Sequence, residues 1–358
     1  MQLRRYLVLG VAIVAVFGLL AAACGDDDDG GDGDSASGNT LKTVQDRGKL
    51  LCGVKDSQPG FGYLESDGSY TGNDIEYCKA VAAAVFGDAN AVEYVLASAD
   101  NRFELLSSGE IDVLIRTTTW TASRDAALGA DFTSTTFYDG QGMMVKVDSP
   151  IQSIDDLDVA TICVTSGTTT ESNLADQMAQ RGLDYTPLGF ADDTENLAAF
   201  AEGRCDAWTG DKSNLAGQRA NYTEGPDALR ILPDTLSKEP LGPATRDNDS
   251  QWHDVVQWTV FGLMTAEELG VTAGNVDDMA ANPPNIAVAR LLGVGFEGAE
   301  PADFGLGIDV DFMQDVIAAV GNFGEIYDRT LAPIGLDRAG SVNDLWTRGG
   351  LIYPPPMR

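Results

Sequence analysis

Strand-like and helix-like segments alternate in two separate series along this chain, and that pattern restricts its fold more than any other feature. In the first series Leu50–Val54 reads as an apolar strand, and Asp74 opens a helix through Cys78, Val81 and Val85 that stops at Gly87. Val92–Val95 and Asp112–Ile115 read as strands, with a helix over Asn101–Ser107 between them. The pattern restarts after Val145-Lys146-Val147. Val159–Val164 is a strand, and Ser166-Gly167-Thr168-Thr169-Thr170-Glu171 opens a helix that turns Leu174 and Met178 inward. Strands near Tyr185–Phe190, Cys205–Thr209 and Leu229–Leu232 alternate with helices around Leu197 and Leu215. Such alternation builds mostly parallel sheets covered by helices, and two series imply two α/β lobes. Lys238-Glu239-Pro240-Leu241-Gly242-Pro243 reads as a stiff return crossing, after which helices follow over Gln251–Leu269, up to Leu292, and around Phe312–Val320.

The start of the chain has a different character. Arg4 and Arg5 precede an apolar run, Leu7–Leu20, and then Ala21-Ala22-Ala23-Cys24-Gly25. The run is short for a membrane span, and small residues follow it, as in a secretory signal over residues 1–23. Cys24 stands where a bacterial lipoprotein carries its lipid. Residues 24–40 are rich in Asp and Gly, cannot bury apolar area, and are expected to form a solvated tether. The mature chain is therefore expected outside the cell membrane, held on its outer, periplasmic side by lipid. A formal charge of −32, spread along the chain, argues against nucleic acid as a partner. Beyond Cys24 there are Cys52, Cys78, Cys163 and Cys205, which allow three pairings. Pairing Cys52 with Cys78 and Cys163 with Cys205 keeps each bridge within one proposed lobe. With one histidine and no CxxC spacing, no metal site is expected.

Arg116-Thr117-Thr118-Thr119-Trp120-Thr121-Ala122-Ser123-Arg124 follows a first-series strand and sets hydroxyls, an indole and a guanidinium together. Open α/β sheets bind ligands just past the carboxyl ends of their strands, and Arg offers a planar fork that matches a carboxylate. Ser166–Glu171 opens a helix whose free N–H groups can hold a carboxylate as well. The loop Lys55–Tyr63, with Phe61, is in an equivalent ligand-facing position. Gly293-Val294-Gly295-Phe296-Glu297-Gly298 matches a dinucleotide pattern but follows a helix rather than a strand, so no nucleotide cofactor is expected.

Several of these segments together carry a resemblance that runs from Leu41 to Arg358. They are Cys52-Gly53-Val54, Cys78-Lys79-Ala80-Val81, Thr118-Thr119-Trp120-Thr121 with Ser123-Arg124-Asp125, Tyr138-Asp139-Gly140-Gln141-Gly142, Ser166–Glu171, Gly203-Arg204-Cys205-Asp206, Ser237–Pro243 and Leu345-Trp346. The sequence resembles the polar amino-acid substrate-binding proteins of bacterial ABC importers, within the general L-amino-acid-binding subgroup. The resemblance implies a periplasmic-binding-protein-like type II α/β fold, two lobes joined by a two-strand hinge near Val145 and Pro240, with the ligand cleft between them. Lobe 1 would comprise residues 41–146 and 241–358, and lobe 2 residues 147–240. The resemblance implies a monomer that gives L-amino acids to a permease and its ATPase. It places Arg124 on the ligand α-carboxylate with Thr119 and the amides of Thr168 and Thr169, and Asp211 on the α-ammonium. Arg102 would reach the ligand side chain, Phe61 and Trp120 would be walls, and Thr117, where the subgroup usually has Asn, would be a further contact. The alternative is an enzyme on the same fold, similar to cyclohexadienyl dehydratases, with Glu171 as its acid.

Overall fold

The computed structural model describes residues 38–358. The expected signal, Cys24 and most of the expected tether lie outside the described residues. Leu50–Val54 pairs in parallel with both Val92–Leu96 and Val113–Leu114, and Ala244–Arg246 then joins antiparallel between Val113–Leu114 and Ala130–Phe132. The second five-stranded sheet repeats this plan: Tyr185–Phe190, Ala160–Thr165 and Ala207–Asp211 run parallel, and Gln141–Lys146 lies antiparallel between Ala207–Asp211 and Leu229–Ile231. Each sheet is the centre of one lobe.

Two strands cross between the lobes. Phe137–Asp139 pairs antiparallel with Glu239–Leu241, placing Pro240 opposite Tyr138. The following strand, Gln141–Lys146, belongs to the second sheet. This differs from the boundary read at residue 146, and from a hinge at Val145, which is fully buried inside that sheet. Only Gly140 separates the crossing strand from the sheet strand, and a Cβ on it would meet Thr235 Cγ2 at 2.6 Å.

Why the helices seat where they do follows from their apolar faces. Asn73–Phe86 buries Ile75, Tyr77, Cys78 and the small side chains Ala80 to Ala84, which admit a close approach to the sheet; Cys78 is bridged to Cys52 with Cα atoms 6.0 Å apart. Ser250–Leu269 is capped by Asp249, whose carboxylate accepts the Trp252 amide at 3.2 Å. The fully buried Trp252 indole donates to the Asp112 carbonyl at 2.8 Å. In the second lobe, successive residues of Ala160–Thr165 face opposite layers: Ile162 and Val164 pack with Leu174 and Met178, while Cys163 packs with Phe200, Trp208 and Leu215. Cys163 is bridged to Cys205 with Cα atoms 5.6 Å apart, within the ordinary disulfide range. No helix among the described residues is long and apolar enough to cross a membrane.

Candidate ligand-binding site

The parallel strands of both sheets end at one cleft. Its walls include Lys55, Gln58, Arg102, Arg116, Thr117, Thr119 and Arg124 from the first lobe, and Thr165, Thr168, Thr169, Thr170, Asp193, Gly210, Asp211 and Asn214 from the second. Of the residues singled out in the sequence, seven line it: Arg124, Thr119, Thr117, Arg102, Thr168, Thr169 and Asp211. Phe61 and Trp120 do not. Phe61 is 1% exposed and meets Phe137 edge-on at 5.2 Å, so it supports the core beneath the crossing strands. Trp120 is 39% exposed and stacks on Phe132 at 5.8 Å. Its orientation follows from strand alternation: Thr119 bridges to Leu241 facing inward, so its neighbour faces out.

Arg124 sits in the short helix Ala122–Ala127, whose N-cap Thr121 accepts the Arg124 amide at 3.3 Å. Its side chain is 8% exposed, Nη1 donates to the Thr119 carbonyl at 2.8 Å, and the guanidinium lies over Phe103 at 5.7 Å. Among the described residues no carboxylate forms an ion pair with it. Burial pulls its pKa down, opposed by the Glu239 and Asp211 carboxylates. Across the cleft, Thr168 caps the helix Thr169–Arg181 and accepts the Glu171 amide at 3.2 Å. First-turn amides lack a carbonyl within their own helix, and those of Thr169 and Thr170 have no protein partner among the described residues. They and Arg124 are suited to one anion held from both sides.

The hydroxyls of this pair are used differently from the sequence reading. Glu239, 1% exposed on the return strand, accepts Thr119 Oγ1 at 2.5 Å, Thr169 Oγ1 at 2.9 Å and Asn173 Nδ2 at 2.8 Å. The Thr119 hydroxyl proton is therefore committed to the crossing strand, and the same carboxylate ties the two lobes together. Arg102 reaches over as well, Nη2 donating to the Gly167 carbonyl at 3.5 Å.

Asp211 ends the strand Ala207–Asp211 and stands at the N-cap of Lys212–Ala220, yet its side chain caps nothing. Its Oδ1 is buried without a hydrogen-bond partner among the described residues. Burial raises its pKa well above the ordinary value, and the Asp139 and Glu239 carboxylates raise it further. An ammonium group would relieve both costs. Glu171 is not in the inner cleft: its carboxylate accepts the Gly167 amide at 2.9 Å, and the residue lines the adjoining outer pocket beside Arg102, Arg124, Thr168 and Thr169.

Sequence reasoning missed Lys55, Gln58, Arg116, Thr165, Thr170, Asp193, Gly210 and Asn214. The available signal was position, since Lys55 and Arg116 lie just past the carboxyl end of a parallel strand and Thr165 ends one.

Two lobes joined by paired crossing strands, with a polar cleft at the strand ends where Arg124 and Asp211 have no ion-pair partner among the described residues, define a two-lobed solute-binding protein. Residues 50–272 match the bacterial extracellular solute-binding proteins, family 3. The chain belongs to that family. It is 45% identical over 327 residues to the glutamate/glutamine/aspartate/asparagine-binding protein of Rhodobacter capsulatus, covering 90% of this chain and 95% of that one. It is 46% identical, also over 327 residues, to the general L-amino acid-binding periplasmic protein of Rhizobium johnstonii, with 90% and 94% covered. A solved ABC transporter/periplasmic binding protein from Brucella ovis with glutathione bound has a TM-score of 0.85 and 42% identity, covering 90% of this chain and 100% of its own. These relatives are named as binding proteins, and this chain is a binding protein of the same kind rather than an enzyme.

Proposed function

We propose that this protein is the extracytoplasmic substrate-binding component of an ABC importer, acting as a monomer that captures L-amino acids between its lobes and delivers them to a permease. The observation that carries the reading is one cleft bordered, among the described residues, by a buried guanidinium without an ion pair, Arg124, and a buried carboxylate oxygen without a partner, on Asp211. A zwitterion supplies both missing partners at once, with the amides of Thr169 and Thr170 sharing its carboxylate. Arg102, Thr117, Thr168 and Thr119 complete the wall. Binding-protein names among the relatives support the same ligand class. Closure would follow from ligand contacts that need both lobes, turning about Phe137–Asp139 and Glu239–Leu241.

A thermal-shift panel of the twenty L-amino acids and their D-enantiomers tests this. At a hundredfold excess over Kd a ligand adds about 2.7 kcal/mol of stability, so at least one L-amino acid is expected to raise Tm by several degrees, and its D-enantiomer much less. No shift with any of them overturns the reading.

Membrane attachment through Cys24 is part of the proposal, supported by the charged start, the apolar run and Ala21-Ala22-Ala23-Cys24-Gly25. The Cys24→Ala variant is expected to move from the membrane fraction to the soluble extracytoplasmic fraction. Finding the unaltered protein wholly soluble there overturns lipid anchoring.

A further inference from the structure

Beyond the groups that suit an amino-acid head, the cleft holds buried donors with nothing to donate to among the described residues: Nε of Arg102, whose Nη2 reaches the Gly167 carbonyl, and, with no such second contact, groups on Arg116 and Gln58. Arg116 follows the strand Val113–Leu114, is 6% exposed, and has a buried Nε without a partner. Its guanidinium makes no hydrogen bond or ion pair among the described residues. The carboxylates near it are engaged elsewhere: Asp193 pairs with Lys55 and accepts Thr165 Oγ1 at 3.2 Å, and Asp74 accepts the Thr117 amide at 2.8 Å. Gln58 is 1% exposed, and its Oε1 accepts Lys55 Nζ at 3.0 Å and Thr117 Oγ1 at 3.2 Å. A lysine ammonium can only donate, so the amide orientation is fixed and Nε2 is a donor; it is buried and unpartnered.

Two further facts separate this arrangement from an incidental buried arginine. Thr117, a β-branched residue, is held at φ +47, a left-handed conformation such residues rarely adopt, and the buried Asp74 clamps its amide. The lining charges do not cancel either. Lys55 is neutralised by Asp193, and an amino-acid head takes Arg124 and Asp211, which leaves Arg102 and Arg116 as surplus cations.

We propose that Arg116 and Gln58 form the side-chain subsite and select amino acids whose side chain ends in a carboxylate or carboxamide. Both endings offer a carbonyl-type oxygen to two donors, and the surplus positive charge ranks the carboxylate first. This rests on the amino-acid reading above and adds to it which amino acids bind.

Calorimetry on the full-length protein with glutamate, glutamine, methionine and alanine tests it, methionine being close to glutamine in length and lacking its acceptor. Glutamate and glutamine are expected to bind at least tenfold more tightly than methionine. Methionine binding as tightly as glutamine overturns the subsite while leaving the receptor reading intact; no binding by any L-amino acid defeats both. In Arg116→Met, glutamate affinity is expected to fall 100-fold or more, with alanine affinity within threefold of the original. Equal losses for both overturn the assignment. If that variant does not fold, the comparison of methionine with glutamine on the unaltered protein still decides.

Discussion

Arg124→Ala is expected to reduce amino-acid affinity by at least a hundredfold in calorimetry and to leave the protein folded. Arg124 is a buried cation of the cleft without an ion pair among the described residues, and it lines that cleft with the free helix-start amides opposite. Truncating one partner of a desolvated, hydrogen-bonded charge pair costs about 2–5 kcal/mol, or roughly 30- to several-thousand-fold. The upper part of that range applies here, because without the guanidinium a ligand carboxylate would face Glu239 and Asp211, the carboxylates that now hold up the Arg124 pKa. The protein itself loses a single backbone hydrogen bond, Nη1 to the Thr119 carbonyl, worth on the order of 1–3 kcal/mol. Arg124→Lys keeps the charge but loses the planar fork, so an intermediate loss is expected. Near-original affinity in Arg124→Ala removes this residue from the carboxylate site.

How far the site was legible in the sequence depended on whether a residue's role came from its position or from its orientation. The stretches that hold Arg124 and that hold Thr168 and Thr169 stood out because they lie past the carboxyl ends of strands in an α/β alternation, a relation visible in apolar periodicity, whereas Asp211 came from the family resemblance alone. Arg116 lies in the same stretch as Arg124, next to a left-handed turn at Thr117 that a threonine does not announce. Gln58 sits in a two-residue strand, Ser57–Gln58, of a small antiparallel sheet with Gly62–Leu64 and Tyr70–Thr71. Its loop is expected from sequence to face a ligand and does border the cleft through Lys55 and Gln58, but the aromatics drew the assignment. Phe61 goes instead under Phe137, a partner some seventy residues away that only the crossing of the chain provides. The two sheets were legible as two alternating series. The point of crossing was not, because a single glycine, Gly140, separates the crossing strand from the strand it feeds, leaving no loop to mark it.

Asp211→Asn is expected to move ligand affinity and the stability of the ligand-free protein in opposite directions. In the ligand-free protein the Asp211 carboxyl is pushed well above its ordinary 3.8, first by burial and then by Asp139 and Glu239. Between 3.8 and the raised value the folded protein holds a proton that the unfolded chain has lost, so its stability falls as pH rises through that window. The asparagine side chain never ionises. At neutral pH the ligand-free variant should melt above the original protein, and the two should converge as pH falls below about 4, where both states are protonated. Ligand affinity should change the other way, because an ammonium needs the carboxylate. Losing that desolvated partner costs about 2–5 kcal/mol. Affinity of the original protein is expected to weaken on acidification as Asp211 takes up its proton, and the variant should lack that component of the pH profile. Melting curves and calorimetry at matched pH values read both effects. A variant that melts lower and binds as before would show that Asp211 supports the fold rather than the ligand.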